Sequence, residues 1–261
     1  MNKVVKRILI IALSVVFGLL ALLLGLDLTV VYAEKSWENW YADYQVLFEQ
    51  TGLTKLGIDG LLEKGEYSKI YKIQDFYFKD QEVSCHSFFP YTYIEMLKGN
   101  RGILCELEDG DIIVSATTHS FFLRVGHATI VVDGKNQLIG ESLCPGAETE
   151  IVGAGTMTDL ANYMVLRPTK IPEETRKQVA AYVKNELMGV SYDATIGLFS
   201  KKYPDELKKT QCAHLCWYGY KKFGYDIDGN GGLFVKPQDI ANSKYFEVVQ
   251  IFGFNPETLW E

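Results

Sequence analysis

Two short stretches far apart in the chain carry the residue types that could do covalent chemistry. Residues 211–217, Gln-Cys-Ala-His-Leu-Cys-Trp, read as the opening turn of a helix with Cys212 at its positive end. A thiol placed there meets unpaired first-turn N–H groups and the helix dipole, so its pKa is expected to fall from ~8.5 toward neutrality and release a nucleophilic thiolate. That stretch contains no base. The best candidate is His127, in the apolar run Val-Gly-His-Ala-Thr-Ile-Val-Val over residues 125–132, which would hold the ring rigidly at the start of a strand. Thiol and imidazole need to be neighbours only in the fold. The chain then turns at Asp133-Gly134-Lys135-Asn136 and returns through residues 137–141. If the hairpin loop holds three residues, 133–135, His127 and Glu141 fall directly opposite each other on one face. A two-residue loop puts them on opposite faces. In the first case Glu141 fixes the imidazole tautomer and steadies the imidazolium; in the second it is an exposed strand-end charge.

Two other clusters hold residue types that bind metals. Cys212 and Cys216 share a helical face and could bind zinc with His214 or Cys144, but a closed site wants four ligands and no second close pair exists. Residues 226–231, Asp-Ile-Asp-Gly-Asn-Gly, imitate the first half of a calcium loop, yet Pro237 stands where a bidentate glutamate is required. A plain turn is expected there, and no metal or cofactor is implied. His86, His119 and His214 read as ordinary loop or helix histidines, and Cys85, Cys105 and Cys144 as buried thiols or one disulfide. Five cysteines, an odd number, leave at least one thiol unpaired.

The elements that would position these residues follow from turn signals and periodicity. Residues 111–115 read as a strand, 116–124 as a loop, 127 onward as a strand, and 162–167 as another. Pro172-Glu173-Glu174 opens a helix whose buried stripe is Val179, Ala180, Val183 and Leu187, ended by Gly189. Tyr192 and Asp193 follow in a loop. The polar residues 201–210 lead to the helix of Cys212, which carries Leu215, Trp217 and Tyr220 and stops before Gly224. Upstream, Trp37, Trp40, Tyr41, Tyr44, Leu47 and Phe48 recur at helical spacing up to Thr51-Gly52. Residues 68–78 look extended and 85–90 look like a loop.

At the N-terminus, residues 8–26 carry no charge and would span roughly 28 Å as a helix, matching the ~30 Å hydrocarbon core. Lys3, Lys6 and Arg7 precede them, and by the positive-inside rule they send the rest of the chain to the extracytoplasmic side of the cell membrane. Residues 31–33 could pass for a signal cleavage site, but the apolar run exceeds a signal's usual ~7–15 residues, which favours a retained single-pass anchor. The chain of 261 residues is long enough for a full core. A net charge of −7 with no basic cluster past the N-terminus argues against a nucleic-acid partner. The 13% aromatic content fits an apolar groove, a nearby lipid surface or a large aromatic core.

Taken in order, Gly110-Asp111-Ile112-Ile113, residues 126–131, Ile139-Gly140-Glu141, Val165-Leu166-Arg167-Pro168, residues 189–193, residues 211–217 and residues 235–240 resemble the circularly permuted papain-like hydrolases. The resemblance is to the YiiX-like branch of the NlpC superfamily, related in layout to the lecithin:retinol acyltransferase group, and it covers about residues 106–249. It implies an α+β fold, a permuted papain-like antiparallel sheet with flanking helices, in which histidine precedes cysteine. The family's nucleophile falls on Cys212, its base on His127 and its third polar residue on Glu141. Tyr192 is a substrate-side residue on the resemblance alone. One departure is Ala213, where the family usually places serine; the lost hydroxyl puts helix capping or substrate contact in question.

These readings divide the chain into a cytoplasmic segment 1–7, an anchor 8–31, a membrane-proximal accessory segment 34–100 and a catalytic domain 101–261. Three functions follow: a membrane-tethered cysteine hydrolase cutting an amide, in cell-wall peptide or a related amide; a lipid-directed acyltransferase or lipase with the same triad; or a binding module that kept only the fold. A long apolar groove beside Cys212 would favour lipid, and a polar cleft with a carboxylate at its mouth would favour peptide.

Overall fold

The computed structural model describes residues 2–37, 43–121 and 123–254. Residues 1–43 and 44–261 form separate compact units. The first holds one helix, α1 (Lys3–Trp37). Its stretch Lys3–Gly25 is long and apolar enough to cross a membrane or to act as a signal sequence, and none of it is buried within the protein. Trp40 and Tyr41 of the expected aromatic face lie outside the described residues.

The second unit opens with three helices, α2 (Tyr44–Thr51), α3 (Lys55–Glu63) and α4 (Tyr67–Tyr77). Gly52 ends α2 with φ +69, and a Cβ there would lie 1.9 Å from the Ile251 carbonyl oxygen, so only glycine fits the close approach. Strands follow: β1 (Val83–Phe89), β2 (Thr92–Leu97), β3 (Ile112–Ser115), β4 (Thr118–Ser120), β5 (Leu123–Arg124), β6 (His127–Asp133), β7 (Leu138–Glu141), β8 (Glu150–Gly153) and β9 (Tyr163–Arg167). The chain closes with α5 (Glu173–Glu186), β10 (Ser191–Tyr192), β11 (Lys209–Thr210), α6 (Cys212–Lys222), α7 (Pro237–Ala241) and β12 (Glu247–Phe252).

Six strands form an antiparallel sheet in the order β12-β9-β3-β6-β7-β8, and β1-β2-β4-β5 form a smaller antiparallel one. Ile112, Ile130 and Leu166 are register neighbours, as are Val114, Ala128 and Met164. Together they meet α5 and α6 in one apolar core. The alternate residues Ile113, Val131 and Val165 are also buried. With both faces covered, these strands are continuous apolar runs rather than alternating ones. Helix α6 is buried from Cys212 through Tyr220, as a helix apolar on all sides must be. A buried Arg167–Asp111 pair (2.8 Å) ties β9 to the start of β3.

Three local expectations are corrected. Residues 68–77, expected with Phe78 to be extended, are helical: Ile70, Ile73 and Phe76 recur every third residue and bury one stripe of α4, although β-branched and aromatic side chains make the segment look extended. Residues 85–90 belong mainly to β1, which pairs with β2 yet is largely exposed, so it lacks the alternation by which strands are recognised. Residues 116–124 include β4 and β5; β4 pairs with β2 across the sequence boundary at 100/101.

The β6–β7 hairpin also differs from its expected form. Ile130 faces Gly140 and Val131 faces Ile139, a bulge follows, and Asp133 faces Leu138. Four residues, 134–137, make the loop. Carried to the strand end, this register sets Glu141 across from Thr129 and diagonal to His127. The displacement from the expected pairing is two residues, and because side chains alternate with period two, His127 and Glu141 still share a face.

Candidate active site

His127 opens β6 opposite Ser115 of β3, straight after Gly126, and Glu141 closes β7. Their side chains meet: His127 Nε2 lies 3.2 Å from Glu141 Oε2. Cys212 is the first residue of α6, and its thiol lies near enough to the His127 ring for each to shift the other's ionisation. Cys212 is 9% exposed, and His127 and Glu141 are each 7% exposed. Three distant segments therefore converge on one buried cluster.

Local sequence explains how the thiol is held. Gln211 caps α6, its Oε1 accepting from Ala213 N–H (2.9 Å) while its Nε2 donates to Val235 O (2.6 Å). The hydroxyl absent at Ala213 is thus not needed for capping, because the preceding glutamine takes that place. The same Oε1 lies 3.2 Å from Cys212 Sγ, giving the neutral thiol an acceptor. Farther along, Trp217 Nε1 donates to Asp226 and Tyr220 O–H donates to Gly110 O, which lock the helix against the loop and the sheet.

Electrostatics favour charge separation. Burial pushes the Cys212 thiol up, but His127 and the backbone N–H groups of Ala128 and Ala213 outweigh it, and the net shift is downward. Burial likewise pushes the His127 imidazolium down, while Cys212 and Glu141 outweigh it and raise its pKa above the ordinary 6.5. A lowered thiol and a raised imidazole both move the balance toward a thiolate–imidazolium pair.

The cluster opens on a cleft of about 190 Å³. Cys212 and His127 line it with Ile94, Phe121, Val125, Leu143, Pro145 and Ala194, together with small hydroxyls such as Thr92 and Thr118. Tyr192 is also on its wall, and burial followed by the nearby Cys212 charge raises its phenol. Among the described residues, none that lines the cleft carries a carboxylate. The apolar wall from β2, β4 and the 143–145 loop had no signal in the sequence, because its side chains are exposed and unpatterned.

The remaining candidates are structural in their contacts. His214 is buried between Thr210 Oγ1 (2.9 Å) and Lys202 O (2.7 Å), and burial lowers its pKa to about 4. His119 is stacked on Tyr93 at 4.4 Å and contacts Glu95 (3.1 Å), so it is a buried strand residue rather than a loop histidine. In the calcium-like segment the buried Asp228 is paired with Lys202 Nζ, which also donates to Gly232 O and sits over the Trp217 ring. A lysine ammonium therefore fills the cationic role there. All five cysteines are free; Cys105 and Cys216 are buried, Cys144 is half-buried, and Cys85 is exposed on β1, contrary to its expected burial. Among the described residues, no three His, Cys, Asp or Glu side chains are placed to share a metal ion.

No protein-family model and no curated protein matches the chain. A solved structure, the metalloprotein YiiX from Escherichia coli O157:H7, is similar over 55% of this chain and 97% of its own, with 15% identity and a TM-score of 0.41. So loose a superposition transfers no residue's role.

Proposed function

We propose that the chain is a membrane-tethered cysteine hydrolase or acyltransferase that forms a thioester on Cys212. The observation that supports it is the buried chain of contacts from Cys212 through His127 to Glu141. His127 takes the thiol proton, and the thiolate attacks the carbonyl carbon of an ester or amide. First-turn N–H groups of α6, including that of Cys212, face the developing oxyanion. Collapse of the tetrahedral species breaks the bond to the alcohol or amine, which leaves with the proton from His127. Water or a second acceptor, deprotonated by the same ring, then releases the acyl group. Glu141 orients the imidazole and steadies its charge. On this reading the sheet with α6 beside it is a permuted papain-like layout of the YiiX-like, NlpC-type branch, with histidine ahead of cysteine. α1 is a retained anchor, with Lys3, Lys6 and Arg7 on the cytoplasmic side.

Amide-directed and lipid-directed versions share these steps, and the cleft separates them. A wall peptide offers an amino terminus that wants a carboxylate at the mouth, whereas the lining here is apolar with small hydroxyls. An apolar acyl group is the better fit, with Tyr192 positioned against it. The test is mass-spectrometric capture of an acyl adduct on the Cys212 peptide after incubation with phosphatidylcholine and, separately, with wall fragments. An adduct from the lipid, absent in Cys212→Ser, is expected. An adduct from wall fragments alone returns the amide reading. Undiminished turnover by Cys212→Ser sinks both, and a Cys212 no more reactive than free cysteine leaves a binding module.

A further inference from the structure

Two groups of apolar side chains flank the cleft and point to water. In the first, Tyr91 and Phe121 are 72% and 65% exposed and stack at 5.5 Å. Phe121 N–H donates to Tyr91 O (3.0 Å), so the two turns that carry these rings are joined. Both residues adopt positive φ, 59 and 48, a region that bulky side chains avoid. Strained backbone that displays aromatic rings to solvent opposes steric and hydrophobic preference at once. Phe121 also lines the cleft with Val125 and Leu143, themselves exposed, so the patch runs into the cleft mouth.

In the second group, Phe199 is 82% exposed beside Leu198, Leu233 and Phe234. Gly197, at φ +90, lets its loop close on the other: a Cβ there would lie 2.2 Å from Leu233 O. This pair of loops is tied to the reactive cluster through neighbouring residues. Ala194 lines the cleft, and Val235 O holds the cap of α6 through Gln211. Charges near both groups are internally paired, Arg124 with Glu95 and Lys202 with Asp228.

We propose that these two groups form a docking surface for a zwitterionic lipid bilayer, with the cleft opening between them. The occupant is argued from the chain itself. On the reading of α1 as a retained anchor, on which this step rests, the helix apolar enough to cross a bilayer precedes the unit in the same chain, so a lipid surface is present at high effective concentration. Aromatic rings favour the interfacial layer, where apolar body and headgroup environment meet. The net charge of −7, and the pairing of the lysines and arginine beside the rings among the described residues, mean that anionic lipid adds nothing to this contact. The surface does not depend on the thiol chemistry and would stand if Cys212 were inert.

The test uses the full chain with a protease site placed within residues 38–43, reconstituted in phosphatidylcholine vesicles. After cleavage, flotation measures how much of the 44–261 unit stays with lipid. The wild-type unit is expected to float, and its partition should hardly change with salt. Tyr91→Ser combined with Phe199→Ser and Leu233→Ser, none of them lining the cleft, should lower the partition at least about tenfold, given the area three such side chains bury. Tyr71→Ser, exposed on α4, should leave it unchanged. Thermal unfolding of each variant checks the fold, and Phe199→Ser alone must still weaken binding if the triple variant does not fold. Release of the wild-type unit into solution overturns the proposal, as does an unchanged partition in the triple variant or binding only to anionic vesicles. A released unit that dimerises through the same residues would make a second copy the occupant and equally overturn it.

Discussion

Glu141→Gln isolates the charge behind His127 while keeping its shape. The carboxyl lies 3.2 Å from Nε2, with both side chains buried. Coulomb's law at an effective dielectric of ~20 gives roughly 5 kcal/mol as an upper bound for that separation. Hydrogen bonds to charged groups contribute about 1.5–3 kcal/mol, and we take that range as the net effect. At about 1.4 kcal/mol per factor of ten, the thiolate–imidazolium population should fall about 10- to 100-fold in the variant. The sign follows from the two shifts. Cys212, depressed, is thiolate above its pKa and loses that form as pH falls; His127, raised, keeps its proton until pH climbs through its higher value. The ion pair therefore occupies the window between the lowered thiol pKa and the raised imidazole pKa. Iodoacetamide alkylation, read on the Cys212 peptide because all five thiols are free, should slow by that factor at pH 6. Near pH 10 the variant and wild-type rates should converge, since the thiol then ionises unaided. Equal rates at pH 6 would show that the carboxyl does not reach the sulfur through the ring, and the coupling argument would fail.

Gln211→Ala removes the cap of α6 and should cost about 1 kcal/mol, a drop of about 2–4 °C in Tm for a unit of this size; an unchanged melting curve would contradict the capping role. Arg167→Met leaves Asp111, which is fully buried, without its counter-charge, and should lower stability by about 3–5 kcal/mol in urea titration. A loss below about 1 kcal/mol would mean that the pair is solvated. Gly52→Ala drives a methyl into the Ile251 carbonyl at a positive φ and should cost at least about 2 kcal/mol; near-wild-type stability would refute the packing of the α2 end on β12.

Much of the outline was legible from local rules. Proline and two acids announced α5, whose buried residues are Val179, Ala180 and Val183 as the spacing required. Turn residues bracketed β6 and β7, and the apolar run 127–133 is a strand. Failures fell where a segment's pattern was set by its neighbours. α4 is aromatic and β-branched, and only its period of three, buried beneath α2 and α3, shows a helix. β1 is exposed along most of its length and so leaves no alternation to read. The hairpin loop was misjudged by one residue and a bulge appeared in β6, yet the shift was even, so the face of Glu141 survived.

What the chain determined alone is chemical and short-range: a cysteine at a helix start, a histidine at a strand start, a carboxylate at a strand end, and an apolar N-terminal helix. Each depends on neighbours a few residues away, through hydrogen-bond geometry, side-chain period and transfer from water. Only the tertiary structure decided that Val235 O would hold the capping glutamine in place, that Lys202 would occupy the calcium-like turn, and that exposed rings would gather around one cleft. Those outcomes require residues separated by tens of positions to meet, and such meetings are set by packing of the whole unit, which no local pattern encodes.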